Sequence, residues 1–257
     1  SAFALPSQFL SIYFPIKLLQ QKVFSEGSLS LCLFAASLND SEDSADQILL
    51  NLLTPVIKAW PSEFTLEANK WAIQVLGGYG YTEDFSLEQI YRDNRLNMIH
   101  EGTNGVQALT LLGRNVTLNS GAGMKDLLRR MRDCAARAGD EGKVVSQAVD
   151  TLEETTGILV GEMMQNNTSV ALANSHDYAN MFGHVVVGWM WLEQLIVAQK
   201  ALTEKSNALS YDEKNFYSGK VIAAQYFFQH ELVKVETQAK VLNSLDTKVL
   251  QMENEFF

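Results

Sequence analysis

The stretch Met181-Phe182-Gly183-His184-Val185-Val186-Val187-Gly188-Trp189-Met190-Trp191-Leu192-Glu193-Gln194-Leu195-Ile196-Val197-Ala198 decides the fold. Only His184, Glu193 and Gln194 interrupt it, so as a helix it is apolar on most faces and has to be surrounded by protein. It is too short and too interrupted to span a bilayer. A helix over 181–201 therefore sits centrally, with Gly183 and Gly188 letting neighbours come close. Working outward, Val145, Ala148, Val149, Leu152, Thr156, Leu159 and Met163 form an apolar stripe of nearly heptad spacing. Tyr217, Val221, Ala224 and Phe228 form another. Phe64, Ala68, Trp71, Ala72 and Val75 form a third, with Pro61-Ser62 as its start and Gly77-Gly78 as its stop. Further helices are predicted at 13–38, 45–59, 86–95, 104–114 and 124–138. All four prolines (Pro6, Pro15, Pro55, Pro61) lie in the first quarter of the chain. The remainder has none, where roughly ten are ordinary at about 5%. Proline is excluded from helix interiors. The expected fold is all-α, a helical bundle with additional C-terminal helices.

The 257 residues, 47% hydrophobic and 19% charged, suffice for one large domain or two small ones. Thr117-Leu118-Asn119-Ser120-Gly121-Ala122-Gly123 is polar and glycine-containing, which predicts a junction between residues 1–116 and 124–257. Thirty acidic against twenty basic residues leave a net charge of −10, which argues against nucleic acid and anionic membrane surfaces as partners. Two cysteines, Cys32 and Cys134, provide neither a disulfide framework nor a zinc cluster and fit a cytoplasmic setting. Ser1–Pro6 lacks the basic region of a signal peptide, and the last residues carry no peroxisomal address.

Residues 71–114 differ in texture from the rest. Five glycines (Gly77, Gly78, Gly80, Gly102, Gly105) are crowded among Gln74, Tyr79, Tyr81, Arg92, Asp93, Glu101, Thr103 and Asn104. The Gly-Gly-Tyr-Gly-Tyr run ends a helix, and taken alone it reads as a glycine cap followed by a turn. Gln74 lies with Glu67 and Lys70 on the polar face, where its amide is free for an external group. A second helix begins near Thr103 or Asn104, the latter at capping-box spacing from Gln107. Its N-terminus suits an anionic or carbonyl ligand. Glu101 precedes that helix on backbone loosened by Gly102. Alone it reads as an exposed loop residue, whereas shelter by Met98 and Ile99 would suit it to proton abstraction. Elsewhere, His176, His184 and His230 have no ligand spacing. Lys125, Arg129, Arg130, Arg132 and Arg137 alternate with Asp126 and Asp133 as an ordinary solvated face. Gly157 and Gly161 suggest close helix packing, Cys32 reads as core, and no metal site is expected.

Gln74-Val75-Leu76-Gly77-Gly78-Tyr79-Gly80-Tyr81, Tyr91-Arg92-Asp93-Asn94-Arg95 and Ile99-His100-Glu101-Gly102-Thr103-Asn104-Gly105 together resemble the C-terminal helical domain of the acyl-CoA dehydrogenase family. Three ordered motifs within about forty residues are far more specific than one glycine run. Leu53-Thr54-Pro55-Val56-Ile57-Lys58-Ala59-Trp60 resembles the preceding helix of the large members that carry an extra C-terminal helical region. The likeness covers roughly 13–116 well, and 124–250 as a helical extension. It implies α,β-dehydrogenation of an acyl-CoA thioester, with Glu101 removing the α-proton and FAD taking the β-hydride. It also implies that Gly102 lies against the acyl-CoA and Thr103 and Asn104 near the flavin. Gln74, Gly77 and Gly78 would meet the flavin dinucleotide of a neighbouring subunit in a homo-oligomer. An electron-transfer flavoprotein is the implied acceptor, and Arg92 with Asp93 is expected to be a structural ion pair.

The chain also departs from the family pattern. No arginine precedes Arg92, so the family's Arg-Gln-Phe-Gly flavin contact is absent, and Gly105 stands where shorter members have a glutamine. The N-terminal and middle domains that hold the flavin ring have no counterpart here. A C-terminal fragment is therefore expected, inactive and without flavin by itself. Alternatives are an acyl-CoA oxidase fragment and a non-catalytic oligomerisation or binding subunit of related fold.

Overall fold

The computed structural model describes residues 7–205 and 207–256, with side chains from residue 14 onward. Ser1–Pro6, considered above for a leader, lies outside the described residues. The described residues are helical throughout their regular elements, with no strand among them. The all-α expectation holds.

Two long antiparallel helices, α1 (Ser7–Asn39) and α2 (Ser44–Leu76), form one side of the molecule. At 33 residues each they span about 50 Å. Asp43 caps α2 by accepting from the Ala45 N–H at 2.9 Å, while the Gln47 amide donates to the carbonyls of Leu38 and Ser41 across the turn. α2 corrects the expectation that Pro61 opens a new helix, because Pro55 and Pro61 both lie inside it. An internal proline forfeits one backbone bond and pushes aside the carbonyl four residues back. For Pro55 that carbonyl belongs to Asn51, and it accepts from Asn115 Nδ2 at 2.7 Å instead. Around Pro61, the Ser62 hydroxyl donates to the Ala59 carbonyl and the Thr65 hydroxyl to that of Pro61. Burial of Leu52, Leu53, Val56 and Trp60 on either side offsets the lost hydrogen bonding.

Short helices α3 (Leu87–Arg95) and α4 (Asn104–Thr110) follow, α4 running into a π-turn over Leu111–Asn115. Next come α5 (Leu118–Ala135), α6 (Asp140–Met164), α7 (Thr168–Leu172) and α8 (Ser175–Glu204). α9 (Tyr211–Tyr226), a π-turn over Phe227–Leu232, and α10 (Lys234–Asn243) complete the main elements. The expected junction is a turn: Asn119, Ser120 and Gly121 have φ of 52°, 58° and 72° at the start of α5. Beyond it, every Arg of the basic face is paired with a carboxylate. Arg130 reaches Asp46 of α2, Arg132 reaches Asp150 and Glu153 of α6, and Arg137 reaches Glu193 of α8.

α8 occupies the centre, with every residue from Met181 to Leu192 buried. By length and composition it could cross a membrane, but here α1, α2, α4, α6, α9 and α10 surround it. Its glycines act as expected. A Cβ on Gly183 would sit 2.2 Å from Trp60 Cδ1, and one on Gly188 would sit 3.0 Å from Leu232 Cδ1. Trp191 Nε1 donates to the Val23 carbonyl of α1 at 3.1 Å. One apolar core thus runs from α1 to α10.

Other expectations are corrected. Gly157 and Gly161 face open space rather than a packed helix, and Cys32 is exposed on α1. In the Phe64–Val75 stripe only Ala68 is fully buried, because this end of α2 has fewer helices beside it.

Candidate active site

The segment between α3 and α4 presents Glu101. A 3₁₀ turn at Leu96–Met98 ends α3, and the His100 ring is held to the Leu96 carbonyl at 2.9 Å. Glu101 then adopts φ 52° and Gly102 φ 90°. The left-handed conformation is disfavoured for a residue with a Cβ and persists where the surroundings impose it. Those surroundings are visible on the next turn. Thr103 caps α4 by accepting from the Val106 N–H, and Gln107 Nε2 donates back to the Glu101 carbonyl at 3.4 Å. Thr103 is thus the cap, not Asn104. The Glu101 N–H has no protein acceptor among the described residues.

Asn104 faces inward and is nearly buried. Its Oδ1 accepts from Lys58 Nζ and from the Ser62 hydroxyl, both at 3.2 Å, and its Nδ2 donates to Glu63 Oε2 at 3.0 Å. The amide that the family likeness assigns to a flavin neighbourhood is committed to α2. Asn94 of α3 ties the same region to α2, donating to Thr65 Oγ1 at 3.1 Å and Asn69 Oδ1 at 2.7 Å.

These anchors frame a cleft of about 420 Å³ lined by Thr54, Lys58, Ser62, Asn97, His100 and Glu101, among others. The Glu101 carboxylate is exposed and Ile99 is half exposed, so the shelter expected from Met98 and Ile99 is not supplied by this chain. Half-buried Lys58 is the cleft's cation. Burial pushes its ammonium below the ordinary lysine range, while the negative charge of Glu101 works in the opposite direction.

The structure therefore brings together Glu101, Gly102, Thr103 and Asn104. It leaves Gln74, Gly77 and Gly78 outside this cleft, at the exposed end of α2. There Gly77 has φ 60°, and a Cβ on Gly77 or Gly78 would meet no atom of this chain within 4 Å. Gly80 is the glycine that a close approach requires, since its Cβ would lie 2.6 Å from the Ile73 carbonyl oxygen. Arg92 and Asp93 are exposed and form no ion pair with each other, contrary to expectation. Lys58 and Asn94 lie within the quoted family-like stretches without having been singled out, and Ser62 and Glu63 carry no motif of their own. The sequence signal for Lys58, Ser62 and Glu63 was their place on the helix preceding the glutamate segment.

The family model "Acyl-CoA dehydrogenase, C-terminal domain" matches residues 16–116, and "Acetyl-CoA dehydrogenase C-terminal like" matches 127–253. The chain belongs to the acyl-CoA dehydrogenase family. It is 25% identical to the broad-specificity linear acyl-CoA dehydrogenase FadE5 of Mycobacterium tuberculosis, over 93% of this chain and 42% of that protein. It is 37% identical to the CarC subunit of the caffeyl-CoA reductase-Etf complex of Acetobacterium woodii, over 31% of this chain and 20% of that protein. The Bacillus anthracis acyl-CoA dehydrogenase complexed with FAD shares the fold at TM-score 0.65 and 18% identity, covering 98% of this chain and 46% of that one. Caenorhabditis elegans ACDH-11, solved with C11-CoA, does so at TM-score 0.65 and 17% identity, over 94% and 42% respectively. The chain thus spans less than half the length of these FadE5 and ACDH-11 relatives.

Proposed function

We propose that this chain supplies the proton-abstracting part of a flavin-dependent acyl-CoA dehydrogenase. The observation that carries the reading is the Glu101 turn, which projects a carboxylate at the mouth of a cleft and leaves the adjacent N–H without a protein acceptor. A carboxylate removes the weakly acidic proton on Cα, and an N–H directed at the thioester oxygen stabilises the enolate charge that develops. Glu101 can offer both groups from one residue, and Gly102 beside it leaves room for the acyl chain. Capped α4 adds its positive dipole end behind them.

The open, exposed surface at Gln74, Gly77 and Gly78 fits a group approaching from outside the chain, as does the polar Thr103 at the start of α4. These residues would hold FAD, whose part when bound is to accept the hydride leaving Cβ. Residues 1–116 carry the site and 124–257 buttress it through α8. The exposed carboxylate and half-exposed Ile99 support a composite site, completed by N-terminal and middle domains and by a neighbouring copy in a homo-oligomer. An electron-transfer flavoprotein is the proposed electron acceptor.

Glu101→Gln tests this reading. In the flavin-loaded enzyme the nearly isosteric amide should keep flavin yet lose anaerobic bleaching by acyl-CoA about 10²- to 10⁴-fold. Near-normal bleaching removes Glu101 from the chemistry. The 257-residue chain by itself is expected to be colourless, because its few flavin contacts cannot offset roughly 4–15 kcal/mol of association cost. A yellow, stoichiometrically loaded chain would show that it carries a complete flavin site.

A further inference from the structure

We propose that Lys58 is the positioning residue of the base: its ammonium pins Asn104, and with it the turn that presents Glu101, while its charge faces the Glu101 carboxylate across the cleft. The inference rests on the reading of Glu101 as the base. Lys58 Nζ donates to Asn104 Oδ1 at 3.2 Å, and Asn104 is the first residue of α4, three positions after Glu101. Ser62 and Glu63, one turn further along α2, hold the same amide, so the start of α4 is fastened to α2 at several points. Lys58 differs from those partners in carrying a positive charge into the cleft. Among the described residues it forms no salt bridge, although most other lysines near a carboxylate do. It remains half buried with an amide as its hydrogen-bond acceptor and Glu101 as the opposing charge. The groups facing it are Glu101 and His100 from the segment before α4, Asn104 of α4, and Glu63 on its own helix, which is engaged by Asn104.

Lys58 is the partner whose titration reports the charge coupling. In the 257-residue chain, resonance of ¹³C-labelled lysine side chains follows the titration of Lys58, identified by the signal that Lys58→Met removes. Glu101→Gln should lower that midpoint, because it removes the negative charge that favours the ammonium. In the flavin-loaded enzyme, Lys58→Met should lower kcat roughly 10- to 100-fold through misplacement of the base. KM for acyl-CoA should change little, and Lys58→Arg should restore most of kcat. If circular dichroism shows that Lys58→Met is unfolded, Lys58→Gln removes the charge but keeps a donor, and it carries the same readouts. A Lys58 midpoint unmoved by Glu101→Gln, or wild-type kcat in the uncharged variants, overturns the proposal. Full dehydrogenation by Glu101→Gln would instead sink the base reading, and the titration would still decide whether Lys58 and Glu101 are coupled.

Discussion

The two faces of α2 serve opposite ends. One face carries Trp60 and Phe64 into an aromatic cluster, with Phe24, His184 and Phe227 against Trp60 at centroid distances of 5.7 to 6.4 Å. The other carries Lys58, Ser62 and Thr65 into the cleft around Glu101. On the core face the fit is close, since a Cβ on Gly183 would lie 2.2 Å from Trp60 Cδ1. On the cleft face the backbone is strained, the carboxylate is exposed and every anchor is polar. A single rigid helix thus stabilises the fold and positions the chemistry, and the two functions can be disturbed separately.

The sharpest separation comes from Glu101→Gln. It should abolish turnover, yet leave the melting temperature of the chain unchanged, because an exposed side chain contributes no buried contact. Trp60→Ala is the converse experiment and should cost about 3–5 kcal/mol by chemical denaturation. Gly183→Ala, which forces a methyl against the same indole, should cost about 1–3 kcal/mol. If it proved neutral, the tight fit at Trp60 would be refuted.

A subtler test concerns the buried pair beneath that cluster. Glu231, nearly inaccessible, lies 3.7 Å from His184 Nε2 and is bonded by Lys234. Burial alone would raise the carboxyl, but His184 and Lys234 outweigh it and hold it below its ordinary value of 4.5. A carboxyl depressed in the folded state adds stability that is complete above its unfolded value. That stability is lost as pH falls through the lower folded value. The protein should therefore weaken below about pH 4.5, and Glu231→Gln should flatten that acid limb while costing about 1–3 kcal/mol at neutral pH. An acid limb identical in the variant would assign the loss to other carboxylates. The smallest effect is expected for Asn115→Ala. It frees the Asn51 carbonyl beside Pro55, an exposed group that water can satisfy, and should cost under about 1 kcal/mol in thermal unfolding.

Much of this comparison was legible from the sequence. The apolar 181–198 stretch announced the central helix, and its glycines announced close neighbours. The glutamate segment could be found because glycine, a cap residue and a carboxylate are local signals. The roles of Lys58, Asn94 and Glu231 were not legible because they depend on partners far away in the chain, such as the Lys58–Asn104 bond across 46 positions. Pro61 misled for the same reason: a local breaker was overridden by the burial of Trp60 beside it. Gly157 and Gly161 matched a packing pattern, but among the described residues nothing packs within 4 Å of where their Cβ atoms would be.

The hydrogen bond from Trp191 to Val23 joins residues 168 positions apart. Closing so long a loop carries an entropic cost before any contact rewards it, and chains rich in such contacts fold slowly. On the ribosome, α1 and α2 emerge long before α8, the helix that covers their inner faces. Until α8 is made, the faces of α1 and α2 that it covers lack that cover while more than a hundred further residues are added. Apolar surface exposed for such an interval is what makes a partly made chain prone to aggregate.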